Sequence, residues 1–147
     1  MSATAYPHDI LLVEDDAADA LLIEGALLDR GPGRAVTQVE DGVAALEHLR
    51  DPSSSRPDLI VLDLNMPRMS GHELLAILKE DRYLKVIPVV VLTTSNAPDD
   101  VMGAYQRHAN AYITKPIDLD GFVDAVRSID AFFIDTAVKV PRLEGEF

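Results

Sequence analysis

Leu59-Ile60-Val61-Leu62-Asp63-Leu64-Asn65-Met66-Pro67 decides how this chain folds. Four aliphatic residues without a polar interruption read as a strand buried on both faces, the habit of parallel sheets, whereas a half-wet antiparallel strand would alternate. The run ends on a carboxylate and a turn, so Asp63 is delivered to the strand's carboxyl end. A second run, Ile10-Leu11-Leu12-Val13, ends the same way on Glu14-Asp15-Asp16. Ligands of open α/β sheets bind beyond the carboxyl ends of strands, where the strand order reverses. Both acidic turns therefore face one pocket. Crowded carboxylates raise one another's pKa unless a hard cation sits among them, and an oxygen-only donor set suits Mg²⁺.

Outward from this stretch, apolar runs alternate with helix-period segments, the pattern of a βαβ sheet. Five such pairs are present, with strands expected near 10–14, 35–39, 59–63, 88–93 and 110–113. The first helix spans about 17–30, with Ala18, Leu21, Leu22, Gly25 and Leu28 as its inward stripe, and stops at Gly31-Pro32-Gly33. Asp41-Gly42 opens a short second helix with Ala45, Leu46 and Leu49 inward, broken at Asp51-Pro52. Ser70 and Glu73 form a capping box for the third, which turns Leu74, Leu75 and Leu78 inward. Pro98 begins the fourth behind a Ser95 or Asn96 cap, and the helix runs to about Arg107. Asp118 caps the last, whose Leu119, Phe122, Val123, Val126, Ile129 and Phe133 form a stripe longer than five strands require. The segment 136–147 reads as irregular.

The composition, 48% hydrophobic and 26% charged over 147 residues, is that of one globular domain able to bury its own core. Without cysteine there is no disulfide framework or thiolate metal site. No signal peptide is evident and no apolar run approaches the ~18 residues of a membrane span, so a cytoplasmic protein is expected. The net charge of −12 argues against nucleic acid as a partner, because phosphate backbones are bound by clustered Lys and Arg.

Two further groups emerge at carboxyl ends of strands: Thr93 closes Val89-Val90-Val91-Leu92, and Lys115 follows Tyr112-Ile113-Thr114. A carboxylate nucleophile, a cation, a hydroxyl and an ammonium compose a phosphoryl-acceptor site, since phosphoryl transfer asks mainly for in-line positioning and neutralisation of the equatorial oxygens. Asp63 is the attacking group in this reading. Singly, each residue has a duller explanation: Asp15 and Asp16 as helix caps, Asp63 as a turn residue, Lys115 as a surface partner of any acid. The clustering is what those explanations leave out. Asp16 alone reads equally well as a first-turn helix acid.

In order, Glu14-Asp15, Asp63 with Asn65-Met66-Pro67 and Ser70-Gly71, Thr93, Tyr112 and Lys115-Pro116 resemble the signatures of the response-regulator receiver domains of two-component signalling. The resemblance covers residues 8–134, with 135–147 as a C-terminal extension. It implies a flavodoxin-like (βα)₅ doubly wound parallel sheet, strand order 2-1-3-4-5, with the site at the switch point between the first and third strands. It makes Asp63 the phosphoacceptor for a sensor histidine kinase and Asp15 a direct Mg²⁺ ligand. Glu14 would act through water and Asn65 through its main-chain carbonyl. Thr93 and Tyr112 become a switch, the hydroxyl moving toward a phosphoryl oxygen and the aromatic ring inward behind it. Lys115 is to pair with Asp63 at rest, aimed inward by a cis peptide before Pro116.

Leu92-Thr93-Thr94-Ser95, the stretch from His108 to Pro116, and Val126-Arg127-Ser128-Ile129 resemble more narrowly the single-domain regulators paired with bacterial and cyanobacterial phytochromes, which implies a phytochrome-type kinase as donor and no room for an output domain. His108 stands where receivers usually carry glycine; by itself it reads as a surface loop residue. A homodimer through the face of the fourth helix, fifth strand and fifth helix is expected as well. Phe132 and Phe133 lie about 100° apart on a helix and cannot both enter one small core. Two other classes fit the residues less well. A phosphohydrolase of the haloacid dehalogenase type wants aspartate where Asn65 stands, and a flavin-binding module wants a phosphate-cradling loop where Glu14-Asp15-Asp16 would repel it.

Overall fold

The structure is a computed structural model and describes residues 8–141; residues 142–147 of the expected extension lie outside the described part. Five strands, β1 (His8–Val13), β2 (Arg34–Val39), β3 (Leu59–Leu62), β4 (Val89–Thr93) and β5 (Ala111–Thr114), form one sheet in the order β2-β1-β3-β4-β5. Every pair is parallel, as the unbroken aliphatic runs require, with Leu11 beside Ile60, Leu62 beside Val91 and Thr93 beside Thr114. The order reverses between β1 and β3. This is the expected flavodoxin-like architecture.

Helices α1 (Ala17–Leu28), α2 (Gly42–Arg50), α3 (Gly71–Glu80), α4 (Pro98–Gln106) and α5 (Leu119–Asp130) cover both faces. Strand side chains alternate between two cores even where all are apolar. Leu11, Val13, Ile60, Leu62, Val89 and Val91 pack with α2, α3 and α4. Ile10, Leu12, Leu59, Val61, Val90 and Leu92 pack with α1 and α5. The capping box of α3 forms in both directions, Glu73 N donating to Ser70 Oγ at 3.2 Å and Ser70 N to Glu73 Oε1 at 3.3 Å. Asp41 and Asp118 cap α2 and α5 as expected.

Two expectations about helices are corrected. The buried face of α1 is Ala20, Ile23, Ala26 and Leu27, while Leu21, Leu22 and Leu28 are exposed, Leu21 to 73%. Apolar residues surround this helix on almost every side, so hydrophobic spacing fits two rotations about its axis, and the one adopted turns Ala20, Ile23, Ala26 and Leu27 inward. Helix α4 has Ala97 at its cap position with no side-chain cap, and Ser95 Oγ accepts from Ala97 N at 3.3 Å instead.

Helix α5 continues into a π-helix, Ala131–Thr136, which drives Ile134 into the core. Asp130, fully buried, accepts from Arg30 Nε at 2.9 Å and from Arg34 Nη2 at 2.8 Å, and Asp135 takes further bonds from both guanidiniums. Two planar forks around one carboxylate satisfy its oxygens, which is what a buried charge needs. Phe132 and Phe133 part as their spacing demands: Phe133 packs against the core, and Phe132 is left 56% exposed, edge-on to its neighbour.

Candidate functional site

The β1 and β3 ladders run into the two acidic turns without a break: Glu14 N donates to Val39 O and Asp63 N to Val13 O, each at 3.0 Å. The carboxylates are thereby held by the sheet itself. The turn after Asp63 is pressed against the start of α3, where a Cβ on Gly71 would stand 2.5 Å from Asp63 O and 2.6 Å from Leu64 Cα. Glycine is required at that close approach.

Glu14 is 1% exposed, Asp63 is 7% exposed and Asp15 lies open to solvent; one carboxylate oxygen from each falls within 4.8 Å of the others. Asn65, also exposed, donates its amide to Asp63 Oδ1 at 3.3 Å. Asp16 turns away, capping α1 by accepting from Asp19 N at 2.9 Å. The helix-acid reading of Asp16 is therefore the right one. Three acids converging with oxygen donors only, two of them buried, fit a hard divalent cation.

Lys115, 7% exposed, follows β5, its amide bonded to Thr93 O at 2.7 Å. Its ammonium reaches Glu14 Oε1 at 2.7 Å, Asp19 Oδ2 at 2.8 Å and Asp63 Oδ2 only at 3.5 Å. The expected resting pair with Asp63 is thus secondary. Asp19 is the site residue that sequence reasoning missed: it lies one helical turn past the cap, and only the rotation of α1 brings it to Lys115. The cis peptide expected before Pro116 is absent, the described residues having none; the lysine points inward from the end of β5 with a trans link.

Burial raises the Glu14 pKa to about 7, against the hydrogen bond from Lys115, and the nearby Asp63 charge adds to the rise. Burial pulls the other way on Lys115, but its bonds to Asp19 and Glu14 and the charge of Asp63 hold it above the usual lysine range. The cluster is short of positive charge.

Thr93 is fully buried at the end of β4, and its Oγ1 has no hydrogen-bond partner among the described residues. An unmet buried hydroxyl costs about 1–3 kcal/mol, so an oxygen brought within reach gains that much. The Tyr112 ring packs against the core beneath α4, and its hydroxyl donates to Ser95 O at 2.8 Å. His108 is exposed with φ 69°, a left-handed turn after α4 that favours glycine and that histidine tolerates better than most residues. Among the described residues no helix is long and apolar enough to cross a membrane.

The family profile of the response regulator receiver domain matches residues 10–127. The chain is similar to the response regulator Rcp1 of Synechocystis sp., 42% identical over 134 residues that cover 88% of this chain and 91% of the relative. It is also similar to a probable methanogenesis regulatory protein, FilR2, of Methanothrix harundinacea, 40% identical over 87% of this chain and 84% of that one. Among solved structures, the phosphorylated cyanobacterial phytochrome response regulator RcpA superposes with a TM-score of 0.88 at 44% identity, covering 90% of this chain and 98% of its own. The Mn²⁺-bound form of Rcp1 gives 0.88 at 40% identity, covering 92% and 100%.

Proposed function

The chain belongs to the response regulator receiver domain family, with a sensor histidine kinase as its partner in a phosphorelay, and we propose that Asp63 is the carboxylate that takes the phosphoryl group. One observation carries the assignment: Asp63 lies at the end of β3 among Glu14 and Asp15, with the Lys115 ammonium 3.5 Å away and the unpartnered Thr93 hydroxyl closing β4 beside it in the sheet. An oxygen of Asp63 attacks phosphorus in line with the donor imidazole; the P–N bond breaks, and the imidazole leaves with its electron pair and takes a proton from solvent. The domain's share is positioning and charge.

Asp15 and Asp63 directly, Glu14 through water and the Asn65 carbonyl would hold Mg²⁺, which neutralises charge developing on the transferred group. Lys115 then bonds a phosphoryl oxygen and Thr93 donates its hydroxyl to another, ending its isolation. Movement of Thr93 is passed to Tyr112 on the neighbouring strand, changing the surface around α4 and β5. An aspartyl-phosphate hydrolase is not favoured, because Asn65 occupies the place of its acid.

The donor meets an apolar rim. Leu22, Ile117, Leu119 and Phe122 line a cleft together with Lys115 and Asp19, and Leu21 and Ile117 are largely exposed. Exposed aliphatics bordering the acceptor are where a kinase domain presenting phosphohistidine would dock. A phytochrome-type kinase is the favoured donor, from the likeness to RcpA, a phytochrome response regulator, and we place the pair in the cytoplasm as part of the same proposal. We take 8–134 as the receiver and 135–147 as its extension. A homodimer through α4, β5 and α5 is supported by Phe132 and by exposed Met102 and Tyr105 on α4. Phosphotransfer from candidate histidine kinases to the wild type and to Asp63→Asn tests the reading: label is expected on the first and absent from the second, and equal labelling of both would refute it.

A further inference from the structure

Away from the acid cluster, α3, α4 and the loop between β4 and α4 are joined by one chain of side chains. His72 Nε2 on α3 lies 3.2 Å from Asp100 Oδ1 in the first turn of α4. The other oxygen of Asp100 accepts from Ser95 Oγ at 2.5 Å. The main-chain carbonyl of that same Ser95 is the acceptor of the Tyr112 hydroxyl at 2.8 Å. Gly103 of α4 lies against the imidazole, where a Cβ would stand 3.2 Å from His72 Cε1 and 3.0 Å from Arg107 Nη1, a tight approach on both sides.

The protonation pattern is set by the partners. Ser95 and then His72 hold the Asp100 carboxyl below its usual range, so it is ionised and accepts from both. An ionised carboxylate only accepts, so His72 Nε2 is the donor to Asp100, while His72 Nδ1 is buried without a hydrogen-bond partner among the described residues. Ala97, at the α4 cap, has no side-chain oxygen to tie the loop to the helix. Ser95 and Asp100 make that tie instead, across the residues whose dihedral angles aim the Ser95 carbonyl.

We infer that Asp100, seated by His72, is a positioning residue for Tyr112: it fixes the Ser95 carbonyl on which the tyrosine hydroxyl is held, and so links α3 to the switch. The inference deepens the proposed reading of Thr93 and Tyr112 and rests on it. Neither His72 nor Asp100 touches the acid cluster, so the device is separable from metal and phosphoryl binding. Loss of the Asp100 carboxylate frees Ser95, and the Tyr112 hydroxyl then exchanges between acceptors.

The test uses the full chain labelled with ¹³C in its tyrosine rings, with the Tyr112 signals assigned by Tyr112→Phe. In Asp100→Ala the Tyr112 signals are expected to shift or broaden, and its hydroxyl proton to exchange with solvent at least tenfold faster. Asp100→Asn, whose carboxamide oxygen still accepts from Ser95, is expected to stay within about threefold of wild type, with His72→Leu between the two. Mg²⁺ half-saturation is expected to change less than twofold in all three. Unchanged Tyr112 signals in Asp100→Ala, or no rescue by asparagine, would overturn the inference, as would a loss of Mg²⁺ affinity matching that of Asp15→Ala. Failure of the switch reading is read separately, as wild-type Tyr112 signals that beryllium fluoride with Mg²⁺ leaves in place.

Discussion

Lys115 stands off from Asp63: 3.5 Å separates its ammonium from Asp63 Oδ2, while Glu14 and Asp19 hold it at 2.7 and 2.8 Å. A lysine clamped by two other acids leaves the Asp63 carboxylate less tied up, and it remains close enough to turn to a phosphoryl oxygen. Its role is therefore expected after phosphorylation rather than before. Lys115→Ala should bind Mg²⁺ within about tenfold of wild type yet lose most of the spectral change produced by beryllium fluoride. Full spectral change in Lys115→Ala would remove the lysine from the switch.

Glu14 makes both stability and metal binding depend on pH. Its folded pKa of about 7 lies above the unfolded value of 4.5, so the folded state binds the proton more tightly. That contribution to stability is full below about pH 4.5 and is lost as pH rises through about 7. Denaturant titration without divalent ions should show wild type losing of order 2 kcal/mol over that interval relative to Glu14→Gln. Mg²⁺ affinity should rise over the same interval, because the ion displaces the proton. A pH slope identical in the two proteins would contradict this.

The acids of the first turn are not equivalent. Asp15 offers an oxygen to the cluster, whereas Asp16 is spent on the α1 cap. Asp15→Ala should weaken Mg²⁺ binding at least tenfold. Asp16→Ala should leave affinity within about threefold and instead cost about 1 kcal/mol of stability through the lost cap. Calorimetric titration and thermal unfolding separate the two effects, and equal losses of affinity would overturn the ligand assignment.

Phe132 tests the dimer. It is the exposed member of the aromatic pair, so Phe132→Asp should leave the fold intact and shift sedimentation toward monomer, while Phe133→Asp should destabilise the core as well. A wild type that sediments only as monomer at high micromolar concentration, with and without beryllium fluoride, would eliminate the dimer. A dimer indifferent to Phe132→Asp would move the interface elsewhere.

What the sequence disclosed depended on how local the cause was. Asp63, Glu14, Thr93 and Lys115 were legible because each ends or follows an aliphatic strand, and a parallel sheet carries such ends to one edge. The capping box of α3 was legible for the same reason, its partners being three residues apart. Asp19 was not, because its meeting with Lys115 depends on the rotation of α1, and a helix apolar on nearly all sides does not encode that in its spacing. The pairing of Asp130 with Arg30 and Arg34, and of His72 with Asp100, joins residues far apart in the chain. Such pairs exist only once the helices have docked.

Chemical trapping addresses Asp63 most directly. After phosphotransfer from a histidine kinase, borohydride reduces an acyl phosphate and leaves homoserine where the aspartate was, which peptide mass mapping locates. The modification is expected at position 63 alone, dependent on Mg²⁺ and lost in Asp63→Asn. Homoserine at Asp15 or Asp16, or a kinase-labelled protein with Asp63 unmodified, would contradict it.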